Sequence, residues 1–163
     1  MKRLLSILFI CCSAMSFAAT PTEQADSIVV LKAKRELQLL RSGKVIRTYK
    51  VALGADPVGH KQRQGDGRTP EGTYKIDYRN SHSQFHRSLH ITYPNSQDRA
   101  SAKKRGVSPG GDIFIHGLGK QWGWVGKAHT ARDWTLGCIA VTNEEIEEIW
   151  TLVPDGISVE IRP

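Results

Sequence analysis

The chain has 163 residues, of which 39% are hydrophobic and 24% charged, and its net charge is +7. This composition is typical of one globular domain with a hydrophobic core, and it excludes a wholly disordered chain. The 15 Gly and seven Pro follow no period and no tandem repeat occurs, which excludes collagen-like, linker, solenoid and propeller architectures.

The first 18 residues predict a cleaved signal peptide. Lys2 and Arg3 form a basic start, Leu4–Cys12 is an apolar stretch, and Ser16 and Ala18 are small residues at the positions that a signal peptidase reads. The apolar stretch is shorter than the ~20 residues needed to span a bilayer, so we expect no stable membrane insertion after cleavage. The sequence therefore predicts export to the periplasm or cell envelope.

Removal of residues 1–18 leaves residues 19–163 as a single predicted domain whose one cysteine is Cys138. This domain stays basic, which favours acidic partners such as anionic cell-wall polymers. Export disfavours nucleic acid as a partner, and the aromatic residues do not alternate with basic ones as a stacking platform requires. A lone cysteine in an exported protein forms an intermolecular disulfide, lies buried and inert, or is a reactive thiol, and its surroundings must decide.

Hydrophobic alternation with a period of two predicts a mainly β fold with one or two short helices. The predicted strands are Ser27–Lys32, Glu36–Leu40, Lys44–Leu53, Gly72–Tyr78, Ser88–Tyr93, Asp112–His116, Ile139–Val141 and Ile157–Ile161. One helix is expected over Asn95–Arg105, and Thr142 with Glu145 forms the capping box of another. Turn residues predict long loops at Gly54–Gly72 and Gly117–Gly137.

Cys138 and His116 are the candidate catalytic pair. Gly137 precedes Cys138, and a glycine there allows a sharp turn at which backbone N–H groups converge on an oxyanion. His116 ends a strand predicted to be buried, and Gly117 leaves space beside the imidazole. A nucleophilic thiol needs such a partner, because a free cysteine is only slightly ionised near neutral pH. A core cysteine and a hydrogen-bonded histidine fit the same pattern equally well.

A metal site is the weaker alternative. His82, His86 and His90 recur every four residues, which on a helix would align them as ligands. The residues around His90 alternate as a strand, however, and no cluster of cysteines or carboxylates completes a site. We therefore predict no metal and no other cofactor.

The order of motifs resembles the signature of the L,D-transpeptidase catalytic domain family, also called the YkuD domain. His116-Gly117, a loop, and then TLGC at residues 135–138 match its catalytic motif. Upstream, GDGRTPEG at 65–72 resembles the family's Gly-Asp, Thr-Pro-x-Gly segment, and SLHITYPN at 88–95 and PGGDIFIHG at 109–117 are similar to a short single-domain branch. Two positions depart from the pattern, since Leu136 stands where many members have His and Ala140 where many have Asn or Arg.

The resemblance implies a β-sandwich and a cysteine acyltransferase acting on peptidoglycan stem peptides. Cys138 would attack the carbonyl that links diaminopimelate to D-Ala, His116 would carry the proton, and N–H groups at Cys138 and near Gly137 would hold the oxyanion. The acyl group would pass to an amine, giving a 3–3 cross-link, attachment of a wall-anchored lipoprotein or D-amino-acid exchange. Transfer to water would instead make the enzyme a carboxypeptidase or amidase.

Substrate contacts are expected around the predicted groove. The candidate substrate-binding residues are Thr135, Gly117, Tyr93, Trp122, Trp124 and Arg132. The aromatic residues would line the groove, with a place in the core as their alternative, and Arg132 would meet stem-peptide carboxylates. A non-catalytic exported cell-wall-binding module is the alternative from another class of protein, because it would need the groove but no reactive thiol.

Overall fold

Eight β-strands form one curled sheet in the computed structural model, which describes residues 23–163. The strands are β1 Ser27–Leu31, β2 Glu36–Arg41, β3 Lys44–Lys50, β4 Gly72–Asn80, β5 Ser88–Ile91, β6 Phe114–His116, β7 Ile139–Ala140 and β8 Ser158–Arg162. Their spatial order is β3-β2-β1-β8-β4-β5-β6-β7. The predicted signal peptide lies outside the described residues.

The mainly β class and each of the eight predicted strands are confirmed. Two short helices also form where they were predicted, α1 over Ser96–Lys104 and α2 over Asn143–Leu152. Each begins with a capping box, which satisfies N–H groups that the first turn of a helix leaves unpaired. One prediction changes: the stretch expected to be a loop contains 3-10 helical turns within Gly123–Ala131, interrupted at Gly126, whose backbone is not helical. A 3-10 helix has three residues per turn and is short, so the periodicities of strands and α-helices in the sequence do not predict it.

The sheet curls until its two ends meet. Two residues beyond the end of β3, Ala52 pairs with Ala140 of β7 through two backbone hydrogen bonds of 3.0 and 2.9 Å. Ile28 from β1, Ile76 from β4 and Ile115 from β6 point into one core, and α2 covers that core with Ile146 and other apolar residues.

Among the described residues, no helix is long and apolar enough to cross a membrane.

A buried lysine anchors the loop between β3 and β4. The side chain of Lys32, only 3% exposed, donates to Glu71 Oε1 at 2.7 Å and to the carbonyl oxygens of Gly59 and Thr69 at 2.6 and 3.0 Å. Burial lowers the pKa of Lys32, and its bond to the Glu71 carboxylate opposes that shift. The loop is therefore fixed to the end of β1, and it forms a wall beside Cys138.

Replacing Lys32 with Met should destabilise the domain, because Glu71 and two carbonyl groups would lose their donor. We expect a loss of about 2–3 kcal/mol in the free energy of unfolding, measured by urea denaturation. Lys50→Met is the matched control, since its ion pair with Glu36 is largely exposed and worth less than about 1 kcal/mol. Equal losses in the two variants would contradict this account of the loop.

Candidate active site

The parallel pairing of β6 with β7 brings the two candidate catalytic residues together. Ile115 lies opposite Ile139 and His116 opposite Ala140, and the Val141 N–H donates to the His116 carbonyl at 2.9 Å. Because Ile139 lies opposite Ile115, Cys138 is level with Phe114, two residues before His116, and both candidates therefore lie in the same region of the sheet. Both side chains line one cavity of about 340 Å³. The sequence predicted this proximity from the loop that joins them.

His116 is held in one orientation. Its Nδ1 lies 2.6 Å from the Gly117 carbonyl oxygen, which accepts hydrogen bonds and cannot donate them. Nδ1 must therefore carry the ring proton, and Nε2 is left with a lone pair that accepts one. The rings of Phe85 and Trp134 lie 4.4 and 6.0 Å from the imidazole, centre to centre. Burial lowers the pKa of His116 to about 4, so the ring is uncharged at neutral pH.

Burial of Cys138 favours the protonated form of its thiol. Burial raises the pKa of Cys138, while a hydrogen bond from the Phe114 backbone acts in the opposite direction. The thiol lies 3.7 Å from the Asp112 carbonyl oxygen, to which it donates. The sequence led us to expect an imidazole that raises the thiolate fraction. The structure instead favours a neutral thiol and a neutral imidazole, because burial penalises both charged forms.

The turn before Cys138 depends on Gly137 and Thr135. Gly137 has φ of +132°, and a Cβ there would lie 2.6 Å from the Arg68 carbonyl oxygen. Thr135 Oγ1 accepts from the Gly137 N–H at 3.1 Å and donates to the Cys138 carbonyl at 2.7 Å. The Thr135 hydroxyl is buried and both of these hydrogen bonds shape the turn, while its predicted contact with substrate stays a prediction. The Gly137 N–H is also occupied, which leaves the oxyanion to other donors.

Gly117 lies in closely packed surroundings, and its predicted contact with substrate stays a prediction. A Cβ there would lie 2.7 Å from Asn143 Oδ1 and 2.9 Å from the Phe85 carbonyl oxygen. The same Asn143 oxygen accepts from the Leu118 N–H at 2.8 Å and so holds the chain just after His116. Gly117 therefore allows α2 to approach the loop, and its carbonyl orients His116.

The predicted aromatic contacts separate into core and surface. Tyr93 belongs to the core and not to the groove: it is buried, packs edge-to-face on Tyr74, and donates its hydroxyl hydrogen to the Pro109 carbonyl at 2.8 Å. Trp122 and Trp124 are 60% and 81% exposed, which excludes the core alternative for both. Trp122 and Arg132 line a second cavity, of about 490 Å³, and Trp124 lies outside it.

His90, Asp77 and Asp112 form a polar cluster next to Cys138. The sequence did not predict this cluster. His90 Nδ1 lies 2.6 Å from Asp77 Oδ1, and Nε2 lies 3.9 Å from a carboxylate oxygen of Asp112, whose carbonyl contacts the thiol. Asp112 adopts φ of +54°, and the two glycines before it were the available signal for such a turn. Within residues 23–163, no three histidine, cysteine or carboxylate side chains are grouped as metal ligands.

The chain belongs to the L,D-transpeptidase catalytic domain family (YkuD), whose model matches residues 25–161. It is 31% identical over 137 residues to "Putative L,D-transpeptidase YafK" of Escherichia coli (strain K12). The aligned region covers 80% of this chain and 48% of that protein. The chain thus spans about half the length of the curated relatives it matches.

Solved structures share the fold. The helical cell shape determining protein Pgp2 from Campylobacter jejuni superposes with a TM-score of 0.63 at 23% identity, over 86% of this chain and 48% of that one. Bd1075 from Bdellovibrio bacteriovorus gives a TM-score of 0.59 at 22% identity, again over 86% and 48%. The predicted family and fold are therefore confirmed.

Substituting Gly137 with Ala should disrupt the turn that carries Cys138, because the new methyl group meets the Arg68 carbonyl. Gly156→Ala is the matched control: Gly156 also has a positive φ, +87°, but open space around it. We expect the control to lose about 1–2 kcal/mol of unfolding free energy from backbone strain alone. Gly137→Ala should lose a further ~1–3 kcal/mol from the steric conflict, as measured by thermal or urea denaturation. Equal losses would show that the turn is not closely packed.

Proposed function

We propose that this domain is a cysteine acyltransferase that cleaves the bond between diaminopimelate and D-Ala in peptidoglycan stem peptides and passes the acyl group to an amine. The observation that carries the proposal is the shared cavity of Cys138 and His116, in which the Gly117 carbonyl leaves Nε2 as a proton acceptor. Membership of the L,D-transpeptidase family supports this reaction class. A pure binding module would have no need of such a pair.

The proposed reaction starts from two neutral groups. As Cys138 Sγ bonds to the substrate carbonyl carbon, its proton moves to His116 Nε2, and the carbonyl oxygen becomes an oxyanion near the Cys138 N–H. Collapse breaks the C–N bond, and the departing D-Ala amine takes the proton from His116. A thioester on Cys138 remains. An incoming amine then reverses these steps, and Cys138 regains its proton.

The Phe114 backbone and Lys61 would stabilise the thiolate while it forms. A hydrogen bond from the Phe114 backbone and the positive charge of Lys61 both lower the pKa of Cys138, against the larger effect of burial. The charge of Asp112 acts with burial and raises it. A thiolate generated only as substrate binds avoids the cost of a buried charge in the free protein.

The proposed compartment is the periplasm or cell envelope, where peptidoglycan lies. We propose that residues 1–18 direct the chain there. The acceptor amine would belong to a second stem peptide, a wall-anchored lipoprotein or a free D-amino acid. No nucleic acid enters the proposed reaction, and no cofactor is needed for it.

Cys138→Ala should fold normally and form no acyl-enzyme. Incubation of wild-type protein with disaccharide-tetrapeptide, or with a carbapenem as a trap, should add the acyl group to the intact mass. His116→Gln should keep the thiol but acylate about a hundredfold more slowly or worse, the usual scale of general acid–base help. Peptide processing by Cys138→Ala at the wild-type rate would overturn the proposal. A tripeptide product with no amine adduct would identify water as the acceptor.

The pH dependence of thiol alkylation should report the neutral pair. Only the thiolate reacts, and burial raises the pKa of Cys138, so the rate with iodoacetamide should keep rising beyond about pH 8.5, the usual pKa of a free thiol. His116→Gln should show nearly the same profile, since the pKa of His116 is about 4 and the ring is already uncharged there. A thiolate–imidazolium ion pair would instead give a constant rate between about pH 5 and 8. Such a plateau in the wild type, absent from His116→Gln, would contradict this prediction.

A further inference from the structure

A second pair of a histidine and a carboxylate lies next to Cys138. His90 of β5 lies opposite Phe114 of β6, and Cys138 is level with Phe114 at the start of the next strand. The Nδ1 atom of His90 lies 2.6 Å from Asp77 Oδ1. Since a carboxylate oxygen accepts hydrogen bonds, Nδ1 carries a proton and donates it to this contact. The proposed reaction gives this pair no role, because His116 carries the proton of the thiol.

The other ring nitrogen of His90 is open. The residue is 9% exposed, and the rings of Tyr78 and Phe114 hold its imidazole at 4.6 and 5.0 Å, centre to centre. Within residues 23–163, Nε2 has no hydrogen-bond partner, and the only buried side-chain atoms without a partner belong to His129. Nε2 of His90 is therefore in contact with solvent. The Asp77 carboxylate stabilises the positive charge that forms when Nε2 takes a proton.

The Asp112 carboxylate faces the same place. Its side chain is 85% exposed, and its Oδ1 lies 3.9 Å from Nε2 of His90. That separation is too long for a hydrogen bond, but one ammonium nitrogen between the two atoms reaches both at the usual length of about 2.9 Å. The Asp112 carbonyl accepts from the Cys138 thiol at 3.7 Å, so a cation on this residue lies close to the nucleophile.

The charges at this place favour a cation. Burial raises the pKa of Tyr78, and the negative charges of Asp112 and Asp77 raise it further. The phenol therefore stays neutral and does not compete as a base. The proposed acceptors are amines, and an alkylamine such as a lysine side chain has a pKa of about 10.4. Such an acceptor arrives as an ammonium ion, and it attacks a thioester only after it loses a proton.

We propose that His90, supported by Asp77, is a second general base of this domain, and that it deprotonates the acceptor ammonium group between its Nε2 and the Asp112 carboxylate. The inference rests on the proposed function and deepens it, because it concerns the acceptor step alone. His116 remains the base for the thiol, and His90 makes the acceptor nucleophilic.

The acceptor step balances in atoms and protons. One proton of the ammonium group moves to Nε2 of His90, and the imidazolium forms beside two carboxylates. The neutral amine nitrogen then attacks the thioester carbonyl, so that a C–N bond forms and the C–S bond to Cys138 breaks. A second amine proton passes through His116 Nε2 to the departing Sγ. His90 finally releases its proton to solvent.

The test compares two acceptors that differ in charge. Disaccharide-tetrapeptide is the donor, and the acceptor is the diaminopimelate amine of a second such molecule or hydroxylamine, which is uncharged at neutral pH. Asp112→Asn should keep the turn, because asparagine tolerates the φ of +54°, and remove the charge. We expect dimer formation to slow about tenfold, the usual scale for a hydrogen bond to a charged group. Acyl-enzyme formation and transfer to hydroxylamine should change less than about twofold, by mass analysis.

His90→Asn should have the larger effect. The amide group retains a donor for Asp77 but has no basic nitrogen, so dimer formation should slow about a hundredfold while transfer to hydroxylamine continues. Glu144→Gln is the matched control: it removes an exposed carboxylate in the first turn of α2 and should change neither transfer. Equal slowing with both acceptors in His90→Asn would overturn its role as a base, and so would wild-type dimer formation in this variant.

Failure of the inference and failure of the proposed function have different signatures. If an acyl-enzyme forms but wild type converts it only to tripeptide, the cysteine chemistry stands and the acceptor base is wrong. If no acyl-enzyme forms, binding of L-lysine amide to Cys138→Ala still tests the site. The amide should shift the ¹⁵N signals of the His90 ring, and Asp112→Asn should remove that shift. The lack of any shift would overturn the inference.

Discussion

The pairing of two very short strands determines the geometry of the candidate active site. β6 has three residues and β7 has two, too few to form a stable pair by themselves. Their register is maintained from both sides, by the buried side chains of Ile115 and Ile139 in the core and by the hydrogen bonds between Ala140 and Ala52. Because His116 and Cys138 flank this pair, their separation is set by the closure of the whole sheet.

Burial then determines the charge state of the site. The same core that fixes His116 and Cys138 makes charge costly for both, so the pKa of the imidazole falls and that of the thiol rises. A protein that kept a permanent ion pair here would have to supply partners for two buried charges. The Gly117 carbonyl requires only one neutral hydrogen bond to select the ring tautomer.

Two long segments build the walls around this centre. The first, residues 54–72, is fixed by Lys32, and its Arg68 carbonyl packs so closely against Gly137 that only glycine fits there. The second, residues 117–137, contains the 3-10 turns with His129. Asn143 at the start of α2 holds this segment through the Leu118 N–H. At the two positions that depart from the family pattern, Leu136 is exposed and Ala140 is fully buried opposite Ala52. Neither side chain supplies a polar group to the site.

The sequence by itself determined the strands, the two capped helices and the His116–Cys138 pair, because alternation, capping boxes and a Gly-Cys motif are local patterns. Only the tertiary structure decided the roles of Tyr93, Thr135 and Gly117, since burial and hydrogen-bond partners depend on residues far away along the chain. The same holds for the neutral state of the pair and for the cavity at His129. The first arises from desolvation and the second from the packing of distant side chains, and neither has a signature in the order of residues.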